Sequence, residues 1–278
     1  MQSFYQNIKS ALTEIYSESE IHALSTQILE KITGLPKSRL LVDSSIHLTD
    51  NQQEEADSII EKLKNYEPIQ YILGEAEFYG SIFKVNPSVL IPRPETEELV
   101  EWIETSADVS NGKILDIGTG SGCIPIVLKK KFPQAEVSAL DISAEALKIA
   151  RENAELNGVY IDFIQKDIFG INELDKKYDV IVSNPPYVLE SDKREMQTAV
   201  LEYEPHLALF VPDTDPLIFY RKIASLAKNH LTENGKLYFE IHQGQAENCI
   251  KLLESLGFKH ITLRKDLSGN DRMIRAEI

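Results

Sequence analysis

The sequence predicts an α/β domain built on a mostly parallel seven-stranded sheet, ended by a C-terminal antiparallel hairpin and preceded by a small helical domain. Three observations predict it. From Lys113 onward, short apolar runs alternate with amphipathic stretches, the pattern of parallel strands covered by helices on both faces. A glycine-rich turn follows the first of those runs. Over the first 75 residues, apolar side chains recur at helical spacing instead.

The chain has 278 residues, long enough for two domains, with 42% hydrophobic and 26% charged residues, ordinary for a soluble globular protein. No apolar stretch approaches the length of a membrane span. The opening MQSFYQNIKSALTEIY is polar and amphipathic and lacks the apolar core of a signal peptide. Two cysteines, Cys123 and Cys249, are too few for a disulfide framework, so a reduced, cytoplasmic setting is expected. The net charge of −15 argues against a protein that grips nucleic acid through its phosphates, and for a protein or small-molecule substrate.

In chain order, Phe4, Ile8, Leu12 and Ile15 mark a first helix, and Ile21, Leu24, Ile28 and Ile32 a second. Ser17 with Glu20 forms a capping box for the second helix, which Gly34 and Pro36 stop. Thr49 with Gln52 caps another helix carrying Ala56, Ile59, Ile60 and Leu63. Residues 1–75 hold no nucleophile–base pair and no metal-ligand spacing, which suits substrate docking better than catalysis. Between Phe78 and Ile91, short β-like runs broken by Gly80 and Asn86-Pro87 predict a β-hairpin linker, assigned to 76–92. The α/β domain then occupies 93–278. PETEELVEWIE, from Pro94, opens a helix with proline in its first turn and Glu95, Glu97 and Glu98 near the positive end of its dipole.

KILDI (113–117), VSALD (137–141), YIDFIQ (160–165), YDVIVSN (178–184) and KLYFEI (236–241) read as five strands. Helices fall over 124–131, 143–156, 216–231 and 246–256. HITLRKD and RMIRAEI, joined by a short connection, make the edge hairpin.

LDIGTGSG, residues 115–122, ends a strand and opens a helix. Gly118, Gly120 and Gly122, with Thr119 and Ser121 between them, let the backbone turn tightly and approach a ligand. A dinucleotide GxGxxG turn would need glycine where this chain has Cys123. Asp141, ending the second strand, is placed to accept hydrogen bonds from ribose hydroxyls. Asp167 is placed to read an adenine amino group, with Ile168 and Phe169 as apolar contacts to the ring. These residues leave both NAD and S-adenosylmethionine open.

At the far end of the fourth strand stands Asn184-Pro185-Pro186-Tyr187. Pro185 keeps Asn184 out of helical geometry, and the prolines lack N–H donors, freeing the Pro185 carbonyl for a guest. The Asn184 amide oxygen and that carbonyl are two acceptors, matching the two hydrogens of a planar NH2 group. Tyr187 is expected to cover that group from one side. Such a clamp aims a weakly nucleophilic nitrogen at a methyl donor and stabilises the positive charge that develops on it.

GTGSG, Asp141 and NPPY resemble the class I S-adenosylmethionine-dependent methyltransferases that act on planar amino groups. EPIQYILGEAEFYG (67–80), LIPRPETEELVE (90–101), YEPHLALF (203–210) and the C-terminal LGFKHITLRKDLSGNDRMI resemble the release-factor glutamine methyltransferases, called PrmC or HemK. The resemblance covers almost the whole chain. It implies a Rossmann-like methyltransferase domain, S-adenosyl-L-methionine as cofactor with S-adenosyl-L-homocysteine as product, and methylation of the glutamine in the GGQ motif of class I peptide chain release factors. It carries the clamp to Asn184, Pro185, Pro186 and Tyr187, and the cofactor positions to Gly118 through Gly122 and Asp141. No direct nucleic-acid binding and no membrane association are expected. The chain departs from the family at VPDTD (211–215) and FEIHQGQ (239–245). Ribosomal-protein glutamine methyltransferases and nucleic-acid adenine-N6 methyltransferases, which would use the same clamp on a flipped base, are the alternatives. The six histidines show no metal spacing.

Overall fold

The computed structural model of the chain describes residues 2–42 and 47–278. By its contacts the chain forms two compact units, Met1–Gly74 with Gln197–Tyr203, and Glu75–Met196 with Glu204–Ile278.

The first unit opens with α1 (Gln2–Leu12), α2 (Glu18–Thr33), α3 (Lys37–Val42), α4 (Asp50–Lys64) and α5 (Ile69–Leu73). Phe4, Ile8 and Leu12 of α1, Ile21, Leu24 and Ile28 of α2, and Ala56, Ile59, Ile60 and Leu63 of α4 meet in one buried cluster, as their helical spacing requires. Both capping boxes form in full. The Ser17 and Thr49 hydroxyls accept from the backbone N–H groups of Glu20 and Gln52, whose side chains accept from the cap residues in return. Gly34 ends α2 in the left-handed region at φ 68°.

The second unit begins with a hairpin, β1 (Glu75–Phe78) and β2 (Ser81–Lys84). Its turn residues Tyr79 and Gly80 both have positive φ, 51° and 69°, the twist that suits a two-residue hairpin loop. The hairpin thus starts just before the β-like window read in the sequence, and residues 85–93 beyond it are irregular. The Tyr79 N–H donates to Glu97 of α6 (Pro94–Ser106) at 2.7 Å, and the Lys84 N–H donates to Asn153 Oδ1 at 2.6 Å.

The alternating region follows as β3 (Lys113–Ile117), α7 (Cys123–Lys131), β4 (Glu136–Asp141), α8 (Ala144–Leu156), β5 (Asp162–Gln165) and β6 (Tyr178–Ser183). After β7 (Val188–Leu189), α9 (Thr198–Tyr203), α10 (His206–Leu209) and β8 (Phe210–Val211) come α11 (Ile218–His230), β9 (Leu231–Glu240), α12 (Ala246–Ser255), β10 (Lys259–Lys265) and β11 (Asp271–Glu277). The seven-stranded sheet runs β10-β11-β9-β6-β3-β4-β5. Strands β3, β4, β5, β6 and β9 are parallel, and β11 is antiparallel to both its neighbours.

Successive strand residues feed opposite faces. Ile114 joins the core under Leu99, Ile103 and Leu128, while Leu115 and Ile117 join the core with Tyr220, Ile223 and Leu253. This double burial makes the strands near-continuous apolar runs. The C-terminal hairpin does form at the sheet edge, with its last strand on the inside. Met273, Ile274 and Ala276 of β11 are buried, whereas β10 presents Lys259, His260 and Lys265 to solvent, a charged edge that resists pairing with another chain. Among the described residues, no helix is long and apolar enough to cross a membrane.

Connectivity decides where a ligand can sit. The chain steps outward from β3 to β4 and β5, then returns to β6 on the other side of β3. The crevice at that switch point, beyond the carboxyl ends of the strands, is where open α/β sheets bind ligands. Because Asp116 pairs with Val182, the residues after β3 and β6 leave the sheet side by side. The glycine turn and Asn184 therefore emerge as neighbours.

Candidate active site

A cleft of ≈ 410 Å³ lies at this switch point. Its wall includes Gly118 through Ser121, Asp141, Asp167 through Phe169, and Asn184 through Pro186. Two of the sequence-derived site residues, Gly122 and Tyr187, are not in the wall.

The turn between β3 and α7 is held by backbone hydrogen bonds. The Gly118 and Thr119 N–H groups both donate to the Leu140 carbonyl, at 2.8 and 3.1 Å. Gly118, Gly120 and Gly122 have φ of +77°, +53° and +81°, a region that strains any residue with a Cβ. Their surroundings differ. A Cβ on Gly118 or Gly120 would meet nothing within 4 Å, whereas one on Gly122 would lie 3.1 Å from Ala150 Cβ and 3.1 Å from Ile126 Cδ1. Gly122 thus lets α7 approach α8, while Gly118 and Gly120 shape the backbone along the cleft.

Asp141 binds the same turn. Its Oδ2 accepts from the Gly120 N–H at 2.8 Å and its Oδ1 from the Ser143 N–H at 2.9 Å. Burial pushes its carboxyl up, opposed by the N–H groups of Ser143, Gly120 and Ile142. Each oxygen keeps a lone pair for a ligand hydroxyl. Asp167 is exposed and caps the turn Ile168–Gly170, accepting from the Phe169 N–H at 2.9 Å. Ile168 is buried, and Phe169 tilts against Phe219 with ring centroids 5.0 Å apart.

Asp116, which sequence reasoning did not single out, stands next to the cleft without lining it. It is fully buried next to the glycine turn, with neither carboxylate oxygen hydrogen-bonded, and the Thr119 hydroxyl is likewise unpaired. Burial pushes the carboxyl up to about 7, reinforced by the charge of Asp141. A buried unpaired acid is costly. The visible signal is a lone aspartate inside the apolar run KILDI.

At the reacting end, Asn184 Nδ2 donates to Thr96 Oγ1 at 3.2 Å, and the Thr96 hydroxyl donates to Glu240 Oε2 at 2.6 Å. The Tyr187 hydroxyl donates to Glu240 Oε1 at 3.1 Å, and the Tyr220 hydroxyl donates to the Glu240 carbonyl at 3.2 Å. Register explains the meeting. Ser183 pairs with Phe239, so Asn184 and Glu240 stand at the same level on adjoining strand ends, with the first turn of α6 beside them. Burial raises the Glu240 carboxyl, opposed by the hydroxyls of Thr96 and Tyr187 and the charge of Arg272, with Glu95 adding to the rise. Burial and Glu240 together hold the Tyr187 phenol far above its usual range. Tyr187 thus faces Glu240 and His242, its ring centroid 6.0 Å from the imidazole. The Pro185 carbonyl accepts none of the backbone hydrogen bonds among the described residues.

The other side of the cleft is built by Pro205, Leu207 and Ala208. The buried Glu204 carboxylate anchors that segment, pairing with the Arg93 guanidinium and accepting from the Ile91 N–H at 3.4 Å. Arg93 therefore acts within the cleft wall as a partner for Glu204. Leu207 remains 62% exposed. Of the two departing segments, 211–215 runs from the buried Val211 of β8 to the surface, where Asp215 pairs Arg221 through both oxygens at 2.8 and 2.9 Å. The segment 239–245 supplies Glu240. Both cysteines are free and buried, with thiols pushed up to about 12, mainly by burial.

The chain is similar to known proteins over nearly its whole length. The model of the PrmC N-terminal domain matches residues 4–74, and that of the methyltransferase small domain matches residues 94–203. A release factor glutamine methyltransferase of Flavobacterium psychrophilum is 48% identical over 279 residues, covering 99% of this chain and 98% of the relative. One from Bacteroides thetaiotaomicron is 46% identical and covers 97% of each. Among solved structures, a methyltransferase from Pyrococcus furiosus superposes with a TM-score of 0.54 at 19% identity, covering 82% of this chain and 98% of that one, a likeness of fold. With near-full-length identity to such relatives and both domain models matched in order, the chain belongs to the release factor glutamine methyltransferase family.

Proposed function

We propose that this protein transfers a methyl group from S-adenosyl-L-methionine to the side-chain amide nitrogen of the glutamine in the GGQ motif of class I peptide chain release factors. The observation that carries the reading is the adjacency of the glycine turn and the Asn184–Pro185 acceptor pair in one cleft at the switch point. Family membership narrows the planar NH2 group to a glutamine amide. The donor set fits the cofactor. Gly118 through Ser121 present backbone to it, Asp141 offers lone pairs to ribose hydroxyls, and Asp167 with Ile168 suits an adenine ring. When bound, the cofactor supplies an electrophilic sulfonium methyl and leaves as S-adenosyl-L-homocysteine.

The chain's own residues do the rest. The Asn184 amide oxygen and the Pro185 carbonyl accept the two N–H bonds of the glutamine amide, turning its lone pair toward the methyl and stabilising the positive charge on nitrogen. One of those protons then leaves to solvent, because alkylation makes the nitrogen acidic. Residues 1–75 serve release-factor docking in this reading.

Incubation with labelled S-adenosyl-L-methionine plus a release factor, a ribosomal protein or DNA, with the methyl located by mass spectrometry, tests it. Label is expected on the GGQ glutamine. Label in DNA or ribosomal protein alone would sink the reading.

Asp141 has two tasks in this scheme, ribose recognition and bracing the turn. Asp141→Ala is therefore expected to weaken cofactor binding and also to cost about 2–3 kcal/mol of stability, through two lost charge-assisted hydrogen bonds. Calorimetric titration and thermal unfolding measure the two effects. Lost affinity with unchanged stability would show a ribose role alone.

A further inference from the structure

We propose that Glu240, acting through Thr96, sets the polarity of the Asn184 amide, and so makes the cleft accept an NH2 group and reject a carboxylate. The inference rests on the glutamine reading above and deepens it.

An ionised carboxylate only accepts, and a threonine hydroxyl has one hydrogen to give. Thr96 Oγ1 lies 2.6 Å from Glu240 Oε2, the length of a hydroxyl donating to a carboxylate. Its one hydrogen is committed there, and Oγ1 can only accept on its other side. Asn184 meets that side at 3.2 Å and must present its NH2 edge. The amide oxygen is then the atom left for the cleft, whose wall Asn184 forms. Without the relay, the two faces of an asparagine amide are nearly equal in shape and differ only in what they bond. Glu240 also receives the Tyr187 hydroxyl, so one buried carboxylate orients both polar side chains of the NPPY segment.

The consequence is specificity. An oxygen facing the cleft accepts from a glutamine NH2 and repels a glutamate carboxylate, while a flipped amide would do the reverse. Buried polar groups built for one partner discriminate strongly against an analogue that leaves them unpaired. Thr96 and Glu240 are positioning residues in this account, acting through Asn184.

The test uses the full chain with a class I release factor carrying GGQ, and the same factor carrying GGE as competitor. Wild-type enzyme is expected to methylate the first and be inhibited weakly by the second. Thr96→Val keeps the shape of the side chain and removes the hydroxyl. It should lower kcat about 30-fold, leave cofactor affinity within about threefold, and reduce the preference for GGQ over GGE by about 10-fold. Thr96→Ser restores the hydroxyl and should restore both values. Should Thr96→Val fail to fold, Glu240→Gln carries the same readout, because a neutral amide no longer dictates which way the Thr96 hydrogen points. Unchanged kcat and preference in these variants would overturn the proposal. So would a fall in kcat with the preference intact, since lost packing alone could cause that. Wild-type enzyme that leaves GGQ unmethylated would instead overturn the functional reading.

Discussion

Asn184→Ala is expected to lower kcat by about 10²- to 10³-fold while leaving S-adenosyl-L-methionine affinity within a few fold. In the proposed mechanism the variant removes one of two acceptors aimed at the nitrogen that becomes positive in the transition state, an interaction stronger there than in the ground state. Such interactions are lost from kcat first. In the proposed reading the cofactor lies mainly along the glycine turn, Asp141 and Asp167, which the substitution leaves in place. Stability should change little, because the buried Thr96 hydroxyl keeps its hydrogen bond to Glu240 when the Asn184 amide is lost. Single-turnover methylation of a release factor, with cofactor titration beside it, checks both halves. Near-normal turnover in Asn184→Ala would mean that the clamp is not the source of the rate.

The second large effect concerns Asp116. Its folded-state carboxyl stands at about 7, against an unfolded value near 3.9, because burial disfavours the charged form. The sign follows directly. Below the unfolded value the group is neutral in both states and costs nothing. Between about pH 4 and 7 the unfolded chain releases its proton first, and the fold is progressively penalised. Above 7 the penalty is complete, on the order of 4 kcal/mol. Asp116→Asn should therefore raise Tm at pH 8 by roughly 10 °C and change it little at pH 4. Scanning calorimetry at the two pH values gives the answer. A variant no more stable at pH 8 would mean that Asp116 already has a partner when the cleft is empty.

These two residues differ in how they could be found. Asn184 was legible because two prolines after an apolar run are an anomaly with few structural explanations. Asp116 was equally visible as a charge inside KILDI, yet its meaning depends on burial without a partner. Glu204 stood inside YEPHLALF and Thr96 inside a run of helix-start acids, each with an adequate local explanation. What gave them roles was contact across long sequence separations, Arg93 with Glu204 and Thr96 with Glu240.

The sequence by itself determined the local elements and their class. Helical spacing marked the N-terminal helices, both capping boxes closed as read, and the doubly buried strands announced themselves as continuous apolar runs. These features are set by neighbours within a turn or a strand, so a single stretch of chain carries their signal. Strand order, register and the side chains that meet across them came only from the tertiary structure. β11 inserts between β9 and β10, the glycine turn and Asn184 emerge side by side, and Tyr187 turns to Glu240 and away from the cleft wall. Side-chain periodicity says which face of a strand is buried, and nothing about which strand lies next to it. The NPPY segment stood out in sequence, and register with the end of β9 brings the Glu240 carboxylate to its asparagine through Thr96.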